Sequence, residues 1–354
     1  MMQTAIEKDI DLKQRWADYR VSYPNVKIRE AAESLGTSEA ELLATEIGAS
    51  VVRLNDGFAE LLAELPALGR IMALTRNDEI VHERKGHYGA VEVFSGHGKM
   101  GLVLGDDIDL RIFFDKWRFA FAVTGESPRG TTRSFQFFGA DGTAVHKVFL
   151  TGESDLPAYQ NLLEKYRAAD QNASLEISLK PEKPIEKPDA EVDVENFRKA
   201  WSELKDTHDF FPLLRKFGVA REQALRLADG EMARRVPSEI YQEVLQKASE
   251  MKLPIMIFVG NEGIIQIHTG EVEKVVEARG WFNVLDERFN LHVKHDEIAS
   301  AWIVRKPTAD GIVSSLEIFN DTGENVALFF GKRKPGIPES GEWRELLRTF
   351  ESAQ

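Results

Sequence analysis

The chain contains two copies of one sequence pattern, and this repeat constrains its fold more than any other feature. Residues 110–150 align without a gap on residues 291–331, a shift of 181 residues that also places Gly142 on Gly323. Solenoid repeats have periods of about 20–50 residues, so this shift is too long for a solenoid. It indicates a duplicated domain. A residue that occurs in only one copy is therefore a candidate for function.

Composition sets limits on the chemistry. The 354 residues suit two domains that each bury a core. The chain has no cysteine, which excludes disulfides, thiolate catalysis, iron–sulfur clusters and cysteine-type zinc sites. It has 45 basic and 58 acidic residues, a net charge of −13, which argues against broad binding to nucleic acid or to an anionic membrane.

Two further features concern location. No run of about 18 apolar residues occurs, so we expect no membrane insertion. The first 20 residues mix acidic, basic and apolar side chains, without the basic-then-apolar order of a signal peptide. We therefore expect a cytoplasmic protein.

The clearest domain boundary is the segment 180–188, KPEKPIEKP. Three prolines among charges cannot continue a helix or a central strand, so this segment should be a stiff, extended spacer. We predict an N-terminal repeat over 1–178, a proline-rich linker over 179–190 and a C-terminal repeat over 191–354.

Each copy begins with helical patterns. Residues 27–35 have helical spacing, Gly36 ends that helix, and Ser38 is placed to cap the next one. Gly218 has the same position in the second copy, with the register shifted by one residue. Residues 28–44 also resemble a DNA-binding helix-turn-helix. Their second helix, however, begins with Glu39 and contains further carboxylates that DNA phosphates would repel. A packed helical hairpin is the preferred interpretation.

Each copy ends with strand patterns. Residues 111–123 and 301–305 are rich in Phe, Trp, Val and Ile, and Gly142 and Gly323 mark hairpin turns. Consecutive strands joined by short turns favour antiparallel sheets. We predict an α+β fold with a tandem structural duplication, in which each half is a large antiparallel β-sheet flanked by helices.

His208 differs from the other seven histidines in its context. It follows Asp206 and Thr207, either of which can cap a helix, and it precedes a Phe-rich helical segment. The helix dipole disfavours an imidazolium at that end, which leaves a neutral imidazole suited to a metal. The first copy has Val26 at this position, so the ligand would belong to the second copy alone. The alternative is a histidine that only caps or packs.

The sequence resembles the HemS/ShuS/ChuS/PhuS family of bacterial cytoplasmic haem-binding and haem-degrading proteins, also called haemin-degrading factors. The resemblance covers nearly the whole chain, including the duplication, and depends on the order and spacing of several short stretches rather than on any single one. They are DTHDFF at 206–211, DLRIF at 109–113, VEKVV at 272–276, GW at 280–281, IVRKPT at 303–308 and FGKR at 330–333.

This resemblance implies roles for individual residues. It makes His208 the proximal ligand of haem iron and places Arg111 near the distal face, in a site between the two halves. Three cations would face the propionates and two aromatic residues would pack near the porphyrin; these are Arg221, Lys306, Arg333, Phe258 and Phe330. Solvated surface charge is the alternative for the three cations.

Two positions depart from patterns seen in relatives. Leu328 replaces a Gln found in some of them, which removes one polar contact. Asp209 follows His208, so a cluster of three histidines around the ligand is not matched. His82 and His97 in the first copy leave open a second or transient haem site.

Three functions are compatible with these observations. The first is a cytoplasmic haem carrier that receives haem after import and passes it on; its partners would be haem and either a haem oxygenase or the cytoplasmic side of an importer. The second is a haem-degrading enzyme with Arg111 on the distal side and electrons from an external donor, since no flavin or nicotinamide motif is present. The third, a DNA-binding regulator, is disfavoured by the net charge.

Overall fold

The computed structural model describes residues 2–96, 98–128, 130–180, 183, 185–334 and 336–351, with side chains from residue 11 onward. The chain divides into two compact units. The N-terminal unit comprises Met1–Arg76, Glu83–Pro181 and Asn261–Ile265, and the C-terminal unit comprises Asn77–His82, Glu182–Gly260 and Gln266–Gln354. Each unit therefore includes one short segment from the other half of the sequence.

The first half of the chain contains five helices and nine strands among its described residues. The helices are α1 (Met2–Ser22), α2 (Ile28–Leu35), α3 (Glu39–Ala44), α4 (Phe58–Glu64) and α5 (Leu156–Tyr166), with 3-10 turns at Leu65–Leu68 and Phe114–Lys116. The strands are β1 (Val51–Arg53), β2 (Gly69–Arg76), β3 (Ile80–His87), β4 (Val91–Gly96), β5 (Gly98–Val103), β6 (Asp109–Phe113), β7 (Phe119–Ser127), β8 (Gly130–Phe138) and β9 (Ala144–Ser154).

The second half repeats this order over the part of it that the structure describes. Its helices are α6 (Val194–Ser202), α7 (Phe210–Phe217), α8 (Arg221–Leu227), α9 (Ile240–Glu250) and α10 (Gly341–Glu351), with 3-10 turns at Asp189–Glu191, Thr207–Asp209 and His295–Glu297. Its strands are β10 (Ala233–Val236), β11 (Ile255–Asn261), β12 (Ile264–Gly270), β13 (Val275–Ala278), β14 (Trp281–Leu285), β15 (Phe289–Val293), β16 (Ser300–Thr308), β17 (Gly311–Phe319) and β18 (Asn325–Gly331).

The strand order shows the duplication directly. The first copy has the ladders β1-β7-β8-β9-β2-β3 and β6-β5-β4, and the second has β10-β16-β17-β18-β11-β12 and β15-β14-β13. The central hairpins are antiparallel in both copies, and β16 and β17 begin 181 residues after β7 and β8. The predicted α+β fold with a tandem duplication is confirmed.

The helical hairpin at the start of each copy forms where the sequence predicts it. Gly36 and Gly218 end α2 and α7, each with φ = 63°, a left-handed conformation that glycine adopts without a Cβ clash. Ser38 caps α3 by a reciprocal pair of hydrogen bonds with Glu41. The inner face of α3 is buried, which confirms a packed hairpin rather than an exposed reading helix.

The core of the C-terminal unit lies in two clusters. One joins α9 and α10 to the sheet and includes Tyr241, Phe329 and Trp343, all fully buried. The other joins α6, α7 and α8 to β16 and β17 and includes Trp201 and Phe210. The second cluster positions the segment that carries His208.

The end of the predicted linker is attached to α8. The side-chain amide of Gln223 donates to the backbone oxygen of Lys187 at 2.5 Å, and Arg226 forms ion pairs of 3.1 Å with Glu186 and with Asp189. Regular structure resumes with the 3-10 turn Asp189–Glu191.

Within the ranges given above, no helix has both the length and the apolar character needed to cross a membrane.

Candidate functional site

His208 is presented to solvent by a short turn that Asp206 caps. Oδ1 of Asp206 accepts hydrogen bonds from the backbone N–H of His208 at 2.8 Å and from its Nδ1 at 2.6 Å. The imidazole side chain is 90% exposed. A carboxylate only accepts hydrogen bonds, so this contact places a proton on Nδ1, and in the neutral imidazole the lone pair is then on Nε2. Asp206, one of the two predicted caps, therefore caps the 3-10 turn Thr207–Asp209 rather than the helix α7 itself, which begins at Phe210 without a side-chain cap.

The ionised form of Asp206 is favoured by its surroundings. The backbone N–H of His208 is the main influence that holds the pKa of this carboxyl below its usual value, and the imidazole contact acts in the same direction. The positive charge of Arg333 adds to the effect. A carboxylate hydrogen-bonded to the far nitrogen of an imidazole makes that imidazole a better metal ligand.

Phe210 anchors the turn to the core of the C-terminal unit. Its ring is 2% exposed and meets the ring of Trp201 edge to face, with centroids 4.6 Å apart. The backbone N–H of Ala309 also donates to the oxygen of Lys205 at 2.8 Å, which attaches the segment to the β16–β17 hairpin. The exposed imidazole is thus carried on a firmly packed support.

Three charged residues meet beneath Phe210. Glu317 on β17 is fully buried and accepts two hydrogen bonds from Arg221, from Nε at 2.8 Å and from Nη2 at 3.0 Å. It also accepts one from Nζ of Lys306 at 2.7 Å and one from Oγ of Ser315 at 3.1 Å. The charge centres of Lys306 and Arg221 lie 4.5 and 5.4 Å from the centroid of the Phe210 ring, within the range of cation–π attraction.

The electrostatics of this cluster reflect its burial. Burial lowers the pKa of Lys306 to about 8, against the opposing influence of Glu317. Burial alone would raise the pKa of Glu317, but Arg221 and Lys306 outweigh it and hold that pKa at about 2. Two cations and one carboxylate give the cluster a net charge of +1.

The equivalent position in the first copy has a different charge pattern. The 181-residue shift, with its one-residue drift in the helices, relates Gln136 to Glu317 and Glu39 to Arg221. Glu39 is buried and forms an ion pair of 2.9 Å with Lys147, while Gln136 is neutral. These groups sum to zero charge. The positive cluster, like His208, therefore belongs to the second copy alone.

The remaining predicted residues of the C-terminal unit form two small groups. Phe258 and Phe330 are half-buried on adjacent strands, with ring centroids 5.2 Å apart. Nη2 of Arg333 lies 3.8 Å from a carboxylate oxygen of Asp310, and its side chain is 18% exposed. Its buried Nε has no hydrogen-bond partner among the described residues.

Arg111 lies on β6 in the N-terminal unit. Its Nη1 forms an ion pair with Asp109 and donates to the backbone oxygen of Leu110 at 3.2 Å. Burial raises the pKa of Asp109, and the charge of Arg111 opposes that rise. The side chain of Arg111 is 30% exposed, so the guanidinium is partly accessible.

The two histidines considered for a second site differ in what the structure shows. His82 is fully buried on β3, and its Nδ1 lies 2.8 Å from the side-chain nitrogen of Gln266. His97 lies outside the described residues. Among the residues that the structure does describe, no group of three or more His, Asp or Glu side chains could hold a metal ion.

Sequence reasoning did not identify Glu317. In the sequence it is one acidic residue in the strand SLEIF and has the appearance of a solvent-facing position. The signal that was available is the repeat itself, because the aligned residue Gln136 is neutral. Reasoning from the sequence also could not show that Arg221 and Lys306 share one carboxylate, since Arg221 is 96 positions from Glu317.

Comparison with known proteins identifies relatives that match nearly the whole chain. The family described as "Haemin-degrading HemS.ChuX domain" matches the chain twice, at residues 36–166 and 218–350. The hemin transport protein HmuS of Yersinia pestis is 37% identical over 337 residues, which cover 95% of this chain and 96% of that protein.

Solved structures agree with this result. Holo-PhuS, a heme-binding protein from Pseudomonas aeruginosa, is 48% identical with a TM-score of 0.94, over 97% of this chain and 99% of PhuS. The heme degrading enzyme ChuS of Escherichia coli O157:H7 is 32% identical with a TM-score of 0.89, over 97% of this chain and 99% of ChuS. The chain, with its two matched domains in tandem, belongs to the HemS/ChuS/PhuS family of haemin-degrading HemS.ChuX domain proteins.

Proposed function

We propose that this chain is a cytoplasmic haem-binding protein of bacterial haem uptake, which receives haem after import and passes it on. The observation that carries the proposal is the exposed imidazole of His208, whose Nδ1 is held by Asp206 and whose Nε2 is left with a lone pair. Its relatives HmuS and PhuS are described as a hemin transport protein and a heme-binding protein.

The residues present suit a haem. Haem is a flat apolar disc with an axial position on the iron and two carboxylates at one edge. His208 would supply the axial nitrogen, and the aromatic pair Phe258 and Phe330 offers an apolar wall. Arg221, Lys306 and Arg333 supply positive charge for the propionates, and Arg offers the paired hydrogen bonds that a carboxylate prefers.

Arg111 is proposed to act on the distal side of the haem. Its guanidinium is partly exposed and oriented by Asp109, so it can donate a hydrogen bond to a small ligand. We propose a haem oxygenase or the cytoplasmic side of an importer as the protein partner that takes or delivers the haem.

Haemin titration of the apo-protein tests the ligand assignment. We expect a Soret band typical of a histidine-ligated complex, and we expect H208A to shift that band and weaken binding. His87 is the matched control, because it is also an exposed histidine, with a side chain 70% exposed, and it has no proposed role. We expect H87A to bind haemin like the wild type. If H208A has the same spectrum and haemin affinity as the wild type, His208 is not the ligand.

A second experiment separates transport from degradation. ChuS, at 32% identity, is described as a heme degrading enzyme, so degradation is the alternative function. The haem complex is incubated under air with an electron donor and catalase, and the products are identified. Bleaching that catalase abolishes supports a carrier. A defined tetrapyrrole product released together with iron would show that the chain is an enzyme.

A further inference from the structure

Glu317 already provides a carboxylate to the two cations that are proposed to meet the haem propionates. Arg221 gives it two hydrogen bonds in the forked geometry that guanidinium groups use for carboxylates, and Lys306 gives it one. Glu317 has no exposed surface, so water does not weaken these contacts. A haem propionate is a carboxylate, the same chemical group as the Glu317 side chain that holds these cations.

The first copy shows that the fold does not require a carboxylate at this point. Gln136 occupies the equivalent position on β8, and its amide donates to Ser134 at 3.0 Å, whereas Ser315 donates to Glu317 in the second copy. The first copy has its buried carboxylate on Glu39 instead, paired with the single cation Lys147, so a strand carboxylate shared by two cations is specific to the copy that contains His208. Glu317 therefore occurs together with Arg221 and Lys306 and is not a general requirement of the fold.

We propose that Glu317 sets the affinity of the site for haem by competing with the propionates for Arg221 and Lys306. The inference rests on the proposed function and names the residue that tunes it. Arg221 is the accessible member of the cluster, with 26% of its side chain exposed, so a propionate would share or take over the fork that Glu317 now occupies. The cations are paired with Glu317 before haem binds and with a propionate afterwards. The propionate therefore contributes only the difference in free energy between these two ion pairs.

This arrangement has two effects. Glu317 gives the buried ammonium of Lys306 a counter-charge, and an unpaired charge at that point would be costly. The negative charge of Glu317 also repels an incoming propionate, which keeps haem binding reversible. A protein that passes its ligand on requires that reversibility.

The test compares haemin with its propionate dimethyl ester, in which both carboxylates are neutral. Affinities are measured for the wild type, for E317Q and for E39Q. E39Q is the matched control, because it also removes a buried carboxylate from a lysine partner, in the other copy. We expect E317Q to bind haemin about tenfold more tightly than the wild type, the size of effect that one charge has at a partly buried site. We expect its affinity for the ester to be unchanged and E39Q to match the wild type for both ligands.

A measurement on the wild type keeps the proposal falsifiable if E317Q does not fold. With the cations already paired, haemin and its ester should bind the wild type within about tenfold of each other. An ester affinity more than about a hundredfold weaker than that of haemin would overturn the proposal, as would an E317Q affinity for haemin equal to or below that of the wild type. If either of these results is obtained while haemin binding still depends on His208, the proposal about Glu317 fails and the proposed function stands. Absence of His208-dependent binding in the wild type rejects the function itself.

Discussion

Replacing Glu317 with glutamine should destabilise the C-terminal unit because it leaves Lys306 in the core without a counter-charge. Lys306 is 3% exposed and lies under the ring of Phe210. Gln has nearly the same shape as Glu and can still accept a hydrogen bond, so the change removes the charge and little else. Arg221 is partly exposed, so water can solvate its charge, whereas Lys306 is almost completely buried.

Two independent arguments give the magnitude. The pKa of Glu317 is about 2, compared with an ordinary value of 4.5, and each pKa unit corresponds to about 1.36 kcal/mol. Ionised Glu317 therefore stabilises the fold by about 3 kcal/mol, with no reduction for solvent screening because the group is fully buried. Loss of one partner of a buried ion pair typically costs about 3–5 kcal/mol.

The dependence on pH has a definite sign. The pKa of Glu317 is lower in the folded protein than in the unfolded chain, so its contribution is complete above pH 4.5 and is lost as the pH falls towards 2. At pH 3 about 2 kcal/mol of the difference between wild type and E317Q should have disappeared. Urea unfolding at pH 7 and at lower pH, followed by circular dichroism and tryptophan fluorescence, measures this difference.

A double variant serves as the control. K306M combined with E317Q removes the buried ammonium as well, and we expect it to recover a large part of the lost stability, since an apolar side chain can replace a buried ion pair at little cost. A difference below about 0.5 kcal/mol between wild type and E317Q at pH 7, the size typical of surface substitutions, would refute the reasoning. So would a difference that does not decrease with pH.

Other outcomes can be checked by binding and unfolding measurements. D206A should weaken haemin binding by about 10- to 100-fold through loss of the Nδ1 contact; unchanged affinity would exclude a supporting role for Asp206. R111A should alter the binding of small exogenous ligands to the haem complex more than it alters haem retention, and equal behaviour to the wild type removes Arg111 from the distal side. G331A should destabilise the protein by about 1–3 kcal/mol, because its Cβ would lie 2.6 Å from that of buried Trp343, and a thermal unfolding midpoint equal to that of the wild type would contradict this.

Repetition made the fold predictable from the sequence. The central strands match at a shift of 181 residues, and Gly142 and Gly323 have φ values of 75° and 73°, as expected for turns that need glycine. The capping role of Asp206 could also be predicted, because Asp206 and His208 are only two residues apart in the sequence. These features depend on residues close together in the sequence or on comparison of two copies.

Long-range pairing could not be predicted. The sequence offers no local signal that Arg221 and Lys306 share Glu317, since that depends on how α8 packs against β16 and β17. The composition of the two units also depends on long-range contacts. Residues 77–82 belong to the C-terminal unit, and residues 261–265 belong to the N-terminal unit. The haem contacts of the named residues remain predictions.

The exchanged segments have a consequence for how the two copies can be separated. The C-terminal unit includes Asn77, whose amide donates to the backbone oxygen of Val326 at 2.8 Å, and Glu79, whose backbone oxygen accepts from Lys294 at 3.0 Å. A gene fragment that starts after the proline-rich segment would lack both groups. A single cut in the proline-rich segment therefore separates neither unit with all of its residues. Protease nicking between the halves should likewise yield two fragments that stay associated through size-exclusion chromatography.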